Sequence, residues 1–185
     1  METTVIKIKN SEPDQCSTRI TCSKEYDFTV DYTQNLKAMI NMVGYKEIDE
    51  NINEENFPVS HDLLNKRVHL TGKFFNFNES CFKRHAIKEL NKLGFRLATL
   101  PELLALSLKF NQDIKRYSHA LALGSIRKVP YKDKIDNEIE IQEYSPFSFS
   151  MLCPNSDREF ELKLDRSNWS ILYTASILGI KKFTS

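Results

Sequence analysis

The chain contains little glycine, proline or cysteine: 5, 6 and 4 residues among 185. So few glycines and prolines argue against a long disordered linker. The cysteines are few for this length and irregularly spaced, which predicts free thiols in a reducing compartment. A Cys16–Cys22 disulfide is the alternative if the protein is exported. The cysteines are Cys16, Cys22, Cys81 and Cys153.

An excess of charge of either sign is also absent. The 26 basic and 25 acidic residues give a net charge of +1, so no overall field attracts nucleic acid or an anionic membrane. No run approaches the roughly 18 apolar residues of a membrane span. The first ten residues, METTVIKIKN, lack the apolar core of a secretory signal. We therefore expect a cytoplasmic protein with no nucleic-acid or membrane partner, and we leave non-classical export to a host open.

Local signatures of catalysis and metal binding are missing as well. The sequence has no G-x-S-x-G, Walker or G-x-G-x-x-G motif. The histidines lack the spacing of a zinc site, and there is no C-x-x-C. We therefore expect no metal, no cofactor and no locally encoded catalytic residue, although a dispersed site would escape this test. The histidines are His61, His69, His85 and His119.

The length suits one domain with an N-terminal extension. Thr4–Ile8 alternates briefly, which predicts a short edge strand, whereas Asn10–Ser23 is polar and turn-like. The expected organisation is an N-terminal arm over residues 1–28, flexible or weakly docked, and a single α+β domain over residues 29–185.

Apolar residues at helical spacing predict three helices. The first is capped by Thr33 and ends at Gly44. The third follows a strand in the segment Gly94–Leu108, where Thr99 and Glu102 have capping-box spacing and Pro101 occupies the first turn. The inward positions of the three helices are Leu36, Met39, Ile40 and Val43; Phe82, Ala86, Leu90 and Leu93; and Leu100, Leu103, Leu104, Leu108 and Phe110.

Alternating apolar residues predict the strands. Val68–Phe74 forms a half-buried strand, and Phe75 and Phe77 predict that its end is covered on both faces. Ala120–Gly124 is expected as a central strand, and Ile171–Ile180 as the last buried strand or strand pair. The predicted fold class is α+β, with helices packed on a mixed, largely antiparallel sheet. The topology of residues 132–166 is left open.

Five sequence motifs occur here in an order that resembles the order found in a family of small bacterial proteins. Its elements here are Val30-Asp31-Tyr32-Thr33, Asn56-Phe57-Pro58-Val59, GFRLATLPELLALSLKF, ALALGSI and ILGIKKF. The likeness covers about residues 29–183 and rests on structural motifs, so it implies no reaction. It indicates a bacterial or phage protein.

A more distant likeness is to the C-type lectin-like fold, in the branch of the formylglycine-generating enzymes. Those proteins resemble this chain in the element Gly94–Glu102, followed by strands, a tryptophan and a closing strand. The calcium-binding triplets of sugar-binding lectins are missing, since Trp169 is followed by Ser170 and Ile171. The paired active cysteines are also missing, since Cys153 stands alone. The resemblance therefore implies a fold used for recognition, without these activities.

In such folds the loops before the closing strand commonly form the ligand face. This implies a binding surface at Trp169, with Tyr173, Arg166 and Arg158. Aromatic and arginine side chains are also the residues enriched at binding hot spots. A core position for this single tryptophan is the alternative.

Two further groups of residues suggest separate hypotheses. Cys81 precedes His85 by four residues, one helical turn, so a Cys/His pair could activate a thiolate; packing is the alternative. The acids of residues 133–143 predict a charged edge strand or, alternatively, a surface for a cation or a basic partner. They are Asp133, Asp136, Glu138, Glu140 and Glu143.

The preferred hypothesis is a non-enzymatic, intracellular binding module that recognises a protein partner; for a phage or pathogen protein, inhibition of a host factor fits. It rests on missing catalytic signatures and on a fold used for recognition. The alternative is an enzyme with a dispersed site centred on Cys153 or on Cys81 and His85. A purely structural subunit is a third possibility, and the oligomeric state is left open.

Overall fold

A computed structural model describes residues 4–7, 19–77, 81–111, 117, 119–132, 139–152, 158–166, 170–171 and 175–182. Its three main helices are α1 (Leu36–Val43), α2 (Lys83–Lys92) and α3 (Leu100–Lys109). The strands are β1 (Thr4–Lys7), β2 (Arg19–Cys22), β3 (Tyr26–Asp31), β4 (Glu47–Ile48), β5 (Arg67–Phe77), β6 (Cys81–Phe82), β7 (Phe95–Leu97), β8 (His119–Leu121), β9 (Arg127–Lys132), β10 (Ile139–Leu152), β11 (Arg158–Arg166), β12 (Ser170–Ile171) and β13 (Ala175–Lys181).

An 11-stranded sheet organises the described residues, in the order β1-β2-β5-β13-β8-β10-β11-β4. Beside this path, β3 pairs with β5, β7 with β13 and β9 with β10. Within the described part, β8 with β13 and β4 with β11 are parallel, and the other pairs of this sheet are antiparallel. The predicted α+β class with a mixed, largely antiparallel sheet is confirmed. The central strand predicted at Ala120–Gly124 is correct only for its first two residues, which belong to β8, because the chain turns after Leu121.

Both faces of the sheet are covered, because successive side chains of a strand point to opposite faces. In β5, Phe74 belongs to the larger core cluster, which includes apolar residues of α1 and α3. Phe75 and Phe77 belong to a second cluster, which includes Ala86 and Leu90 of α2. The prediction that this strand is covered on two sides at its end is confirmed.

Helix α1 buries Leu36, Met39, Ile40 and Val43, the predicted inward positions. Gly44 follows the helix with φ 76°, a left-handed conformation that glycine adopts without steric cost.

The predicted cap of α1, Thr33, is wrong. The N-cap is Asn35, whose side chain accepts a hydrogen bond from the amide of Ala38 at 2.8 Å. Thr33 instead donates its hydroxyl to the Asp31 carboxylate at 2.6 Å. An asparagine two residues closer to the helix serves because it is among the best N-cap residues.

Helix α3 begins as predicted. The amide of Thr99 donates to the Glu102 carboxylate at 2.7 Å, with Pro101 in the first turn. Leu100, Leu103 and Leu104 are buried. The prediction for Leu108 is wrong: its side chain is exposed, because Leu106 and Ser107 are the residues that face the core at this end of α3.

The turn-like prediction for Asn10–Ser23 is wrong for residues 19–22, which form β2 within the main sheet. Ile20 pairs with Phe77 of β5, and both side chains are buried. Strand β3 runs across the boundary placed at residue 28 and pairs with β5 along its length. Strand β1, the predicted edge strand, pairs with β2. Parts of the proposed arm therefore belong to the sheet.

Within residues 132–166, β10 is a single long strand that contains the apolar residues at 139–141 and 147–151. It pairs with β9 over its first half and with β8 and β11 over its second half. None of the helices in the described part of the chain has the length and apolarity needed to cross a membrane.

Candidate functional site

Much of the binding surface expected around Trp169 lies outside the described residues. This holds for Trp169 and Tyr173, and also for Cys153. Arg158 and Arg166 lie at the two ends of β11, but their side chains are outside the described part. Arg166 is the register partner of Tyr144 in β10. The binding surface around Trp169 therefore stays a prediction.

The backbone brings the chain next to Trp169 close to the start of α2. Ser170 pairs with Phe82, and Ile171 pairs with Cys81, in the two-stranded sheet of β6 and β12. Cys81 therefore lies in a strand that precedes α2, not on the helix one turn before His85. The helical spacing that suggested a Cys/His pair is wrong, because α2 begins only at Lys83.

A small ion cluster joins α2 to the sheet. Lys83 Nζ lies 3.7 Å from Glu143 Oε2, and Lys128 Nζ lies 3.7 Å from Glu143 Oε1. The Lys83 amine is buried, and this burial lowers its pKa, while the carboxylate of Glu143 acts in the opposite direction. The ion pairs of Glu143 with the two lysines therefore connect α2 to β9 and β10.

Of the five acids in residues 133–143, only the side chain of Glu143 is described; it is half-buried and faces two lysines. Asp133, Asp136, Glu138 and the side chain of Glu140 lie outside the described part. A cation surface there stays a prediction. Among the described residues, no group of three or more His, Cys, Asp and Glu is placed to hold a metal ion.

An open groove in the described part of the chain lies between α1 and α3. This groove, the helix groove, has a volume of about 250 Å³. Its exposed apolar side chains are Met42 and Leu108, 49% and 48% exposed. Met39, Leu104 and Ala105 line it beneath them. Thr29, Asp31, Gln34 and Lys109 complete its lining.

The second groove lies on the other side of α1, against the loop of residues 48–55. This groove, the acidic groove, has a volume of about 620 Å³. Its apolar lining is Ile40, Ile48 and Ile52, and Glu54 and Glu55 line the loop wall. Its remaining lining residues are Asn35, Lys37, Asn41 and Asn53.

The loop wall of the acidic groove is held by hydrogen bonds. Asp49 Oδ1 accepts from the backbone amide of Asn51 at 2.9 Å, and Asn53 Oδ1 accepts from that of Asn56 at 3.0 Å. The amide of Asp49 donates to the carbonyl of Leu162 at 2.9 Å, which attaches the loop to β11. The wall is therefore preformed, which reduces the entropic cost of binding.

The grooves were missed because they depend on how α1 packs against α3 and the loop. The local signals are the acidic, Asn-rich composition of residues 47–56 and the extra apolar residues Met42 and Leu108. Comparisons with protein-family models, with curated proteins and with solved structures found no match to this chain.

Proposed function

We propose that this chain is a non-enzymatic binding module that recognises a protein partner. The observation that carries the proposal is the helix groove, where Met42 and Leu108 stay half exposed above an apolar floor. Adjacent exposed apolar side chains on a folded domain mark interaction surfaces more often than isolated ones do. A groove between two helices is also a common seat for an apolar face of a partner segment.

The chemistry of the groove favours a macromolecule over a small substrate. Its lining is mostly apolar, and the charges at its rim are already engaged: Asp31 bonds Arg67 at 2.9 Å, and Lys109 donates to the carbonyl of Asp27 at 2.7 Å. Methionine side chains adapt to irregular partner surfaces because they are flexible and polarisable. These features suit contact with another protein.

The cellular location and the fold family that we propose for the module are those predicted from the sequence. A C-type lectin-like arrangement is supported by the strand–helix unit of β7 and α3 ahead of a closing strand, β13. A cytoplasmic location is supported by the small number of cysteines and by their irregular spacing. Both belong to the proposal.

The test compares two matched double variants as baits. Met42→Ser/Leu108→Ser removes the exposed apolar side chains of the helix groove. Leu64→Ser/Ile126→Ser removes two apolar side chains that are 41% and 37% exposed and lie outside both grooves. Proteins captured from the source organism or its host are identified, and the complex is rebuilt from purified components for calorimetry.

The proposal predicts a partner whose affinity falls at least tenfold with Met42→Ser/Leu108→Ser and less than twofold with Leu64→Ser/Ile126→Ser. Loss of one hot-spot side chain costs about 1–2 kcal/mol, so two account for a tenfold effect. Equal binding by both variants, or no purified partner that binds the wild type, would overturn the proposal. Circular dichroism establishes that each variant is folded.

A further inference from the structure

We infer that the acidic groove binds a basic, amphipathic segment of a protein partner, with apolar side chains on Ile40, Ile48 and Ile52 and with lysines or arginines facing the loop wall. This inference rests on the proposed function and names the chemistry of the partner. The occupant is a peptide segment of another protein rather than a second copy of this chain.

The floor of the acidic groove provides the apolar contact. Ile40 and Ile52 are buried beneath it, whereas Ile48 is 42% exposed and projects from the short strand β4. Among the described strands β4 lies at the end of the sheet, so the exposed part of Ile48 has apolar area to bury against a partner. The groove therefore has an anchor point.

The loop wall provides the charge complementarity. Residues 47–55 contain five acids and no base: Glu47, Asp49, Glu50, Glu54 and Glu55. Glu47 lies 3.6 Å from Lys163, and Asp49 is used in the loop's own hydrogen bonds. Glu50, Glu54 and Glu55 are exposed, and within the described residues no cation forms an ion pair with them. They are therefore available to a basic partner.

The acidic groove is lined by two carboxylates, those of Glu54 and Glu55, which are neighbours along the loop. No group of three or more His, Cys, Asp and Glu in the described part is placed to hold a metal ion. Two exposed carboxylates are complementary to lysine or arginine side chains of a peptide. The chain as a whole is nearly neutral, so this complementarity is local.

The wall formed by α1, opposite the loop wall, carries a positive charge. Lys37 projects from α1 into the lining, one turn before Asn41. Its charge opposes that of a basic segment and partly cancels the field of Glu54 and Glu55. Removing this charge should therefore improve binding of a basic segment, whereas removing the acids should weaken it. Two changes on facing walls thus have opposite expected signs.

The probe is a peptide of leucine and lysine about 18 residues long, with leucines at i, i+3, i+4 and i+7 so that a helix has one apolar face. The control peptide carries glutamate in place of every lysine. Fluorescence anisotropy at low and high salt measures both against the full chain. We expect the basic peptide to bind at least tenfold more tightly than the acidic peptide, and the difference to shrink with salt.

The variants locate this binding. Glu54→Gln/Glu55→Gln should weaken the basic peptide about fivefold, and Lys37→Gln should tighten it about twofold, as exposed charges allow. Ile48→Ser should weaken both peptides. The matched control, Glu25→Gln/Asp62→Asn, removes the same charge outside the groove and should change the affinity less than twofold.

Equal effects of the two charge-removing pairs, or tighter binding of the acidic peptide, would overturn the inference. Self-association of the wild type that Ile48→Ser abolishes, measured by sedimentation, would assign the groove to a second copy and also overturn it. Failure here leaves the proposed function intact if Met42→Ser/Leu108→Ser still removes a purified partner. If Met42→Ser/Leu108→Ser binds the partner as tightly as wild type, the proposed function fails, and the inference then requires that Glu54→Gln/Glu55→Gln still weakens the basic peptide.

Discussion

Arg96 of β7 binds Glu102 of α3 through two hydrogen bonds, Nη1 to Oε2 at 2.9 Å and Nη2 to Oε1 at 2.6 Å. The same carboxylate caps the amide of Thr99 and is only 2% exposed. The hydroxyl of Tyr32 faces it, and burial together with this negative charge raises the pKa of Tyr32. One side chain therefore joins β7, α3 and the end of β3.

Glu102→Ala should lower the free energy of unfolding by about 2–3 kcal/mol, because it leaves the Thr99 amide and the Arg96 guanidinium without their partner. The figure is at the low end for a buried pair, since Arg96 is partly exposed and can be rehydrated. Urea unfolding measures the change. Glu54→Ala, an exposed glutamate, should change stability by less than about 0.5 kcal/mol. Similar losses in the two variants would contradict a structural role for the pair.

Gly124 lies against the backbone of the β7–α3 turn. Its amide donates to the carbonyl of Ala98 at 2.8 Å, and a Cβ at this glycine would come within 2.7 Å of the same oxygen. Gly124→Ala should therefore destabilise the fold by about 1–3 kcal/mol through overpacking against rigid backbone. Thermal unfolding measures this change.

Gly44→Ala is the comparison for Gly124→Ala. No atom lies within 4 Å of its added Cβ, and its cost comes only from φ 76°. Asparagine tolerates a left-handed backbone. In place of the alanine it should therefore recover stability at position 44 but not at position 124. Recovery at both positions would mean that Gly124 is needed for its backbone conformation and not for space.

Lys83 makes the free energy of unfolding depend on pH in the alkaline range. Burial lowers its pKa in the folded protein, with Glu143 partly offsetting that effect. Between the folded pKa and the unfolded value of about 10.4, the unfolded chain binds more protons, so stability rises with pH. Below the folded pKa both states carry the proton and the contribution is constant.

Wild type should therefore gain stability relative to Lys83→Met as pH rises from 7 toward 10. Urea unfolding of both proteins across that range gives the difference directly. Lys182→Met controls for the loss of an exposed lysine, and its free energy of unfolding should change with pH in the same way as that of wild type. A difference that stays flat would show that folding does not change the pKa of this amine. A difference that grows in favour of Lys83→Met would show that the attraction of Glu143 outweighs burial and raises the pKa.

The elements that sequence predicts correctly are those whose signals are local. The four buried residues of α1 and its terminal Gly44 recur at helical spacing, and Glu102 caps α3 within three residues. These features need only the nearby chain.

The missed elements depend on distant partners. Strand β2 has only Ile20 and Cys22 as buried apolar residues, and it is a strand because Ile20 meets Phe77 far along the chain. Leu108 follows the helical pattern yet stays exposed, because Leu106 and Ser107 are the residues of the last turn that face the core. Nothing near residues 42 or 48 shows that α3 and β11 lie beside them. The grooves therefore follow from tertiary packing alone.

Two surfaces now compete for the partner: the α1 surface with its two grooves, and the surface predicted around Trp169. If the partner binds at α1, Trp169→Ala should leave the affinity within about twofold, while Met42→Ser/Leu108→Ser should lower it tenfold or more. The opposite pattern, in folded variants, would place recognition at Trp169. Cys81→Ala and Cys153→Ala should leave binding unchanged in either case. A lost turnover activity in one of these cysteine variants would instead support the thiol enzyme, since a binding module does not need a nucleophile.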